Sequence, residues 1–210
     1  MLTLHHLNNS RSQKIVWLLE ELELAYELVH YQRDPVTLMG PSALKAVHPL
    51  GKAPVLDDDG KLLSESGAIT QYILERYAGG RLSPDPAGPQ HMRFLECLYF
   101  AVSAGMNPIM LKVYAHAFGL TDTPLDMAAS AELEVALAFI ERNLGDGPWL
   151  FGELFTAADI QMSFIPELAR AIGAFAGHLR IAAWQARLYA RPGFHRAIAR
   201  GGAYDFAQAL

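Results

Sequence analysis

The spacing of hydrophobic residues predicts a strand, a helix and a second strand at the start of the chain. Residues 1–6 alternate weakly between apolar and polar side chains, as a short strand does. From Lys14 onward the apolar residues recur at helical spacing, and glutamates occupy the other side. Residues 26–31 return to a strand pattern. This order predicts two parallel strands joined by a crossover helix.

Residues 32–47 predict an irregular connection, because their hydrophobic residues show little periodicity. Pro35, Gly40 and Pro41 would interrupt a longer regular element in this segment. We expect one short helix here, near residues 42–46.

A hairpin is predicted after this connection. Residues 55–56 and 61–64 have strand character, and the acidic turn at residues 57–60 ends in a glycine. Ala53 precedes Pro54, and the residue before a proline is pushed toward extended backbone. If Pro54 is in cis, the Val55 backbone is expected to pair with an extended peptide as an added strand.

A helix start follows the hairpin and has chemical uses of its own. The apolar residues after Ser66 recur at helical spacing to about Tyr77, so Ser66 is the expected N-cap. A helix start offers unpaired N–H groups and the positive end of a dipole, which suit a carboxylate. Glu65 would suit an ammonium group. Together they predict a site for an α-amino acid head group, although Ser66 could serve only as a cap.

The second half of the chain predicts helices alone. Residues 79–89 are rich in glycine and proline and predict a boundary between two domains, 1–78 and 90–210. Beyond this linker, helical patterns cover residues 90–118, 124–144, 157–172, 180–190 and 193–200. Thr156 and Asp159 have the spacing of a capping box, which we interpret as structural.

Composition narrows the range of functions. The chain has 210 residues and a net charge of −5, which gives no electrostatic reason to bind nucleic acid or an anionic membrane. No apolar run is long enough for a signal peptide or a membrane span, so we expect a cytoplasmic protein. The single cysteine, Cys97, excludes an internal disulfide and is expected to be a small buried residue.

Metal and nucleotide sites are not predicted. The eight histidines are scattered, and His5 and His6 would point to opposite faces of a strand. Gly51-Lys52 lacks the other residues of a phosphate-binding loop, since Ala46 and Ala53 stand where glycine and serine or threonine are needed.

Two linked motifs resemble the glutathione-binding segment of the glutathione transferase superfamily. The first is Gly51-Lys52-Ala53-Pro54-Val55-Leu56, and the second is Leu63-Ser64-Glu65-Ser66-Gly67-Ala68-Ile69. Thr156-Ala157-Ala158-Asp159 is similar to a box in the helical domain of the same superfamily. The resemblance extends over nearly the whole chain and favours a bacterial-type, theta-like or related cytosolic class with serine or asparagine in its first loop.

The resemblance implies a fold, an activity and a ligand. The fold is an α/β thioredoxin-like N-terminal domain plus an all-α C-terminal domain, with the Ala53–Pro54 bond in cis. The activity is conjugation of glutathione, the co-substrate, to hydrophobic electrophiles. Dehalogenation, peroxide reduction, isomerisation, or a noncatalytic glutathione-binding module are the alternatives. The residues expected to hold glutathione are Lys52, Pro54, Val55, Glu65 and Ser66.

The loop after the first strand is expected to activate the thiol. A thiol of pKa about 8.5 is only a few per cent thiolate at neutral pH, so the protein must stabilise the anion. In serine-type members the activating serine stands in an S-x-x-x-R frame, which Ser10 and Lys14 match with lysine in place of arginine. Position 12 lacks the usual proline, which leaves Asn8, Asn9 and Ser12 as alternatives. Ser10 or Ser12 could also merely cap the helix.

The helical domain is expected to supply the electrophile site and the dimer contact. Residues four apart form a soft apolar face suited to an adaptable acceptor site, although core packing would give the same pattern: Met106, Met110, Tyr114 and Phe118. A second apolar set remains to be covered in the first helix of the domain: Met92, Leu95, Tyr99 and Val102. The superfamily pairs through this region, which implies a homodimer.

Overall fold

A computed structural model describes residues 1–34, 37 and 39–207 of the chain. Pro35, which helped to predict the irregular connection, lies outside the described residues, as do the last three residues of the predicted helical domain.

Among the described residues of the N-terminal part, four strands and three helices follow the order βαβαββα. This order confirms the predicted thioredoxin-like fold. The elements are β1 (Leu2–Leu7), α1 (Ser12–Glu21), β2 (Tyr26–Tyr31), α2 (Ala43–Val47), β3 (Val55–Asp58), β4 (Lys61–Ser64) and α3 (Ser66–Tyr77).

The four strands form one sheet in the order β2-β1-β3-β4. β1 pairs with β2 in parallel, as the crossover helix requires, and the other neighbours are antiparallel. Val55 is in register with His5 on one side and with Ser64 on the other. The end of β1, the start of β3 and the end of β4 therefore lie at one edge of the sheet.

The hairpin between β3 and β4 turns through Asp59 and Gly60. Their φ angles are 50° and 84°, the backbone that a two-residue hairpin turn of this hand requires. The Asp57 carboxylate accepts the Gly60 N–H at 2.6 Å. The predicted hairpin is thus confirmed, and the aspartates stabilise its turn.

The described residues after α3 are mainly helical. Their helices are α4 (His91–Phe100), α5 (Met106–Ala117), α6 (Pro124–Asn143), α7 (Ala157–Met162), α8 (Phe164–Ala171), α9 (Leu179–Tyr189) and α10 (Pro192–Gly201). The strand pairing described in this part is limited to isolated bridges between residues 149 and 154. None of the described helices is both long and apolar enough to cross a bilayer.

Two segments that were each predicted as one continuous helix are interrupted, so these two predictions are wrong. The 90–118 helix breaks between Phe100 and Met106, and the 157–172 helix breaks at Ser163. Pro108 and Pro166 follow these breaks. A proline has no N–H to donate to the carbonyl four residues earlier, so the ladder cannot continue through these points.

The chain packs as two compact units. One comprises residues 1–81 and 189–205, and the other comprises residues 82–188 together with Phe206 and Ala207. Helix α10 thus belongs to the unit that contains the sheet and packs on α1. As domain limits, 1–78, 79–89 and 90–210 stay a prediction.

Each unit has its own polar anchor, buried in the helical unit and partly buried in the sheet unit. In the helical unit, the capping box of Thr156 and Asp159 is present, and Asp159 also accepts hydrogen bonds from the Leu150 N–H and the Trp184 indole at 2.9 and 3.0 Å. In the sheet unit, Glu21 binds the Arg191 guanidinium through two contacts of 2.8 Å. Both anchors serve packing, which confirms the structural interpretation of the capping box.

Candidate functional site

The sheet brings three segments of the predicted site to one edge. The loop from Asn8 to Arg11 follows β1, Pro54 precedes β3, and Glu65 follows β4. These positions meet because His5, Val55 and Ser64 are partners across adjacent strands. The site is therefore assembled by strand pairing, within the sheet unit alone.

The Ala53–Pro54 bond is cis, as predicted, and Pro54 is buried. The Val55 backbone lies between two partner strands, so a peptide ligand cannot pair with it along a free strand edge. Ala53 lies outside both ladders, and among the described residues its N–H and C=O have no hydrogen-bond partner. Ala53 was not among the predicted site residues, although its place before Pro54 was the available signal.

The interpretation of Ser66 as the N-cap of α3 is wrong. Ser66 is already the first helical residue, because Glu65 takes the flanking position with φ 72° and ψ 116°. Ser66 is 2% exposed, and its hydroxyl has no hydrogen-bond partner among the described residues. A buried hydroxyl without a partner is unusual in folded proteins and fits a polar ligand group.

The Glu65 backbone supports the same interpretation. A positive φ is uncommon for a residue other than glycine, and such outliers gather at ligand sites. The Glu65 side chain is exposed, which leaves its carboxylate available to a cation. Lys52 is also exposed and forms no ion pair within the described part of the chain. The three groups thus differ in what they can bind: the Glu65 carboxylate is negative, Lys52 is positive, and the Ser66 hydroxyl is a hydrogen-bond donor.

Ser10 is held by the loop in which it was predicted to act. Its hydroxyl lies 2.8 Å from the Leu7 carbonyl and 2.7 Å from the Ser12 hydroxyl. The Ser12 backbone N–H donates to Ser10 Oγ at 3.2 Å. Ser10 is 8% exposed, so a small part of it remains accessible to a ligand.

The three alternative residues of the loop are engaged elsewhere. The Asn8 side-chain oxygen accepts the Arg33 backbone N–H at 2.7 Å. The Asn9 amide exchanges two hydrogen bonds with Asp205, at 2.7 and 2.9 Å. Ser12 is completely buried. Ser10 is the loop hydroxyl with both access and a proton that can turn toward a ligand.

His6 is part of this network and was missed by the sequence analysis. Its Nδ1 lies 2.8 Å from Ser12 Oγ, and its Nε2 lies 3.0 Å from the Gly201 carbonyl. Burial, and next the neighbouring His30, lower the pKa of His6 from 6.5 to about 4. His6 is therefore neutral near pH 7. The inward position of His6 in an alternating strand was the only signal for it.

Lys14, the counterpart of the expected arginine, is also completely buried. Its ammonium group lies 5.3 Å from the ring of Trp17 and 5.4 Å from that of Tyr204. These are cation–π distances, so Lys14 helps to hold α1 against the C-terminal segment.

The four predicted acceptor residues do not share one environment. Met106 is 4% exposed and belongs to the core, whereas Tyr114 and Phe118 are 53% and 73% exposed and stack with 6.3 Å between ring centres. Met110 is intermediate. A cavity of about 480 Å³ elsewhere in the helical unit, beside Lys112 and Phe175, is lined by none of these four. The described residues contain no group of histidine, cysteine and acidic side chains suited to a metal ion.

The fold and the site define a class: a thioredoxin-like unit with a cis-proline and an unpartnered buried hydroxyl among the described residues at a helix start, followed by a helical unit. Comparison with known proteins agrees. The family described as "Glutathione S-transferase, N-terminal domain" matches residues 1–75, and "Glutathione S-transferase, C-terminal domain" matches residues 101–192.

Individual relatives give the same result. Glutathione S-transferase 3 of Schizosaccharomyces pombe is 33% identical over 178 residues, which cover 78% of this chain and 72% of that protein. A glutathione S-transferase of Pseudomonas putida is 32% identical over 82% of this chain and 77% of its own. The crystal structure of a glutathione S-transferase from Actinobacillus pleuropneumoniae superposes with a TM-score of 0.89 at 31% identity, covering 99% of this chain and 96% of the other. The chain belongs to the glutathione S-transferase family.

Proposed function

We propose that this protein is a glutathione transferase, which joins the sulfur of glutathione to electrophilic small molecules. Family membership supports the activity. The observation that carries the glutathione site is the buried Ser66 hydroxyl, which has no partner among the described residues and opens α3 at the same sheet edge as Ser10.

The two ends of glutathione match the charges of the site. Ser66 and the N-terminus of α3 donate to the carboxylate of the γ-glutamyl group, and the Glu65 carboxylate accepts from its ammonium. Lys52 pairs with the glycine carboxylate. These contacts are equal in the ground state and the transition state, so losing Glu65 raises the KM for glutathione and leaves kcat almost unchanged.

The middle of glutathione needs backbone partners. We assign this role to Ala53, whose N–H and C=O are unpaired in the described structure, beside the predicted Pro54 and Val55. Binding there directs the cysteinyl sulfur toward the loop that contains Ser10.

Ser10 stabilises the thiolate. The thiol releases its proton to solvent, and the Ser10 hydroxyl turns from its internal acceptors to donate to the sulfur anion. A pKa two units below about 8.5 requires about 2.7 kcal/mol of preferential interaction with the anion, which a charge-assisted hydrogen bond and a helix N-terminus together supply. The thiolate then attacks the electrophile, forms the carbon–sulfur bond and expels the leaving group.

Further parts of the proposal concern the acceptor site and the assembly. The electrophile site includes Met110, Tyr114 and Phe118, with Met106 as support from the core. The protein acts in the cytoplasm as a homodimer. Its domains are residues 1–78 and 90–210, joined by 79–89.

The test separates binding from turnover. Calorimetry with glutathione should show one site per chain, and a panel of electrophiles, including aryl halides, an enone and a hydroperoxide, should reveal at least one glutathione-dependent reaction. Glutathione binding without any turnover would replace the enzyme by a binding module. Absence of glutathione binding would contradict the site itself.

A further inference from the structure

We propose that His6 and Ser12 are positioning residues, which hold the Ser10 hydroxyl in place and leave its proton available to the thiolate. The inference rests on the proposed role of Ser10 and adds a buried hydrogen-bond chain that runs from Gly201 through His6 and Ser12 to Ser10.

The donor and acceptor roles along this hydrogen-bond chain follow from its last member, the Gly201 carbonyl. The Gly201 carbonyl can only accept a hydrogen bond, so His6 Nε2, at 3.0 Å, must carry a proton. In a neutral imidazole the other nitrogen, Nδ1, is then an acceptor. The hydroxyl of Ser12 lies 2.8 Å from Nδ1 and is therefore the donor of that hydrogen bond.

Ser12 Oγ also lies 3.0 Å from the Leu7 carbonyl, a second acceptor, but its contact with His6 Nδ1 is shorter at 2.8 Å, and we assign the Ser12 proton to His6. The same oxygen accepts the Leu7 N–H at 3.1 Å and still presents a lone pair to Ser10, 2.7 Å away. Ser12 cannot donate to Ser10 in this arrangement. The Ser10 hydroxyl can donate its proton to the Leu7 carbonyl, to Ser12 Oγ or to a ligand. A thiolate is the strongest acceptor of these, because it is charged.

The same contacts fix the position of the Ser10 oxygen. The Ser12 backbone N–H holds Ser10 Oγ, and the Ser12 side chain is held in turn by Leu7 and His6. His6 is 1% exposed and Ser12 is completely buried, so solvent does not compete for their hydrogen bonds in the folded protein. Activation of the thiol then needs only a rotation of the Ser10 O–H bond.

The anchor lies far away in the sequence. Gly201 ends α10, and a Cβ at this position would overlap the Gln13 amide, which donates to the Ala197 carbonyl at 2.9 Å. The close approach of α10 to α1 places the Gly201 carbonyl beside His6. Asp205 holds Asn9 in the same loop, so the C-terminal segment supports the thiol-activating loop at two points.

The first experiment determines the protonation state and tautomer of His6, which set the donor and acceptor roles in the hydrogen-bond chain. Nitrogen-15 NMR of the imidazole groups at pH 7 should show His6 as the neutral tautomer with the proton on Nε2. A proton on Nδ1, or a charged His6, would overturn the proposal, because Ser12 could then no longer donate to His6.

The second experiment uses variants of the full-length protein. Ser12→Ala and His6→Phe should lower kcat at pH 7 by about fivefold, the effect of one hydrogen bond, and raise the pKa of bound glutathione, with KM for glutathione within twofold. His6→Asn keeps an acceptor close to the Nδ1 position and should recover part of kcat. His30→Phe is the control, because it preserves the edge contact of 5.6 Å with His6 and leaves the hydrogen bonds intact.

A double variant separates positioning from general destabilisation. In Ser10→Ala, adding Ser12→Ala should cause no further loss of kcat, because the chain acts through Ser10. If Ser10→Ala lowers kcat and Ser12→Ala and His6→Phe both leave it unchanged, the inference is wrong and the role of Ser10 stands. If Ser10→Ala itself has no effect, the proposed role of Ser10 fails and this inference fails with it.

Discussion

Ser66 and Thr156 are both buried hydroxyl residues at the start of a helix, yet they differ in hydrogen bonding. Thr156 is part of a complete capping box with Asp159. Ser66 Oγ has no partner in the described structure. The first hydroxyl therefore contributes to the stability of the free protein, whereas the second, which we propose to bind glutathione, lowers stability while it is unpaired.

Substitution of these two hydroxyls should produce opposite effects. Ser66→Ala removes an unpaired polar group, so the free energy of unfolding should stay equal or rise, while glutathione binding weakens about tenfold. Thr156→Ala should lower the free energy of unfolding by about 1 to 2 kcal/mol and leave glutathione binding unchanged. Urea unfolding and calorimetry on both variants test this contrast. A loss of stability in Ser66→Ala with unchanged binding would show that Ser66 is a structural cap.

His6 should make the stability of the protein depend on pH. Its pKa is 6.5 ordinarily and about 4 in the fold, so the unfolded chain binds more protons than the folded one between these values. The free energy of unfolding is therefore highest above pH 6.5. It falls by about 2 to 3 kcal/mol as the pH decreases toward 4, because the unfolded chain takes up a proton at His6 first. Burial also lowers the pKa of His5, which adds to this dependence, and raises the pKa of Asp159, which opposes it, so the contribution of His6 is measured as a difference between wild type and variant. The lowered pKa of Asp58 matters only below its ordinary value of 3.8.

Urea unfolding at pH 7 and 4.5 measures this dependence. Between the two pH values the wild type should lose about 2 kcal/mol more free energy of unfolding than His6→Phe, although His6→Phe is the less stable at pH 7. His30 faces His6 from β2, and His30→Phe, which keeps the buried His6, should retain most of the dependence. If the free energy of unfolding changed equally with pH in wild type and His6→Phe, the assignment of a neutral, buried His6 would be contradicted.

At the residue scale, the capping box was predicted correctly because its two partners lie within four residues. Ser10 and Glu65, the proposed site residues, were likewise selected from short motifs. His6 was missed because its anchor, Gly201, is 195 residues away, and no local pattern reports such a contact. Ser66 was assigned a cap because a hydroxyl at a helix start usually has that role, and the backbone of Glu65 moves the cap position by one residue.

At the element scale, the strands and the first three helices were predicted to within about two residues, because each is bounded by a turn or a proline that acts locally. The helical half was predicted less well. Apolar periodicity continues through Ser103 and Ser163, and Pro108 and Pro166 lie a turn beyond the breaks that they cause. A proline inside an apolar pattern should therefore have been given more weight than the pattern itself.

The contact of α10 with α1 depends on a paired charge. Glu21 is 7% exposed in its side chain and binds Arg191 through two parallel hydrogen bonds. Gly193 lets α10 approach so closely that a Cβ there would overlap the Glu21 carboxylate. A planar guanidinium is needed for this geometry, and a lysine cannot reproduce it.

Arg191→Lys should therefore lower the free energy of unfolding by about 1 to 3 kcal/mol. Arg76→Lys is the matched control, because the Arg76 side chain is 61% exposed and lies 3.7 Å from Asp58. The control should change stability by less than about 0.5 kcal/mol. Equal effects of the two substitutions in urea unfolding would refute the importance of the Glu21–Arg191 pair.

At the scale of the whole molecule, the exposed face of α4 motivates the proposed dimer. Met92 is 82% exposed and Tyr99 is 44% exposed, while Leu95 and Val102 are partly buried within one chain. Sedimentation should show a dimer at micromolar concentration. Met92→Glu together with Tyr99→Glu should shift it toward the monomer without loss of helical content. A wild-type monomer under the same conditions would contradict the proposal.

The central claim is that Ser10 stabilises the thiolate of bound glutathione, and the pKa of that thiol tests it most directly. Ultraviolet absorbance of the thiolate should titrate about two pH units below free glutathione in the wild type. In Ser10→Ala the pKa should return most of the way to about 8.5, with glutathione affinity within a few fold and an activity loss that shrinks as the pH rises. Asn8→Ala and Asn9→Ala should keep the low pKa. An unchanged thiol pKa in Ser10→Ala would contradict the account.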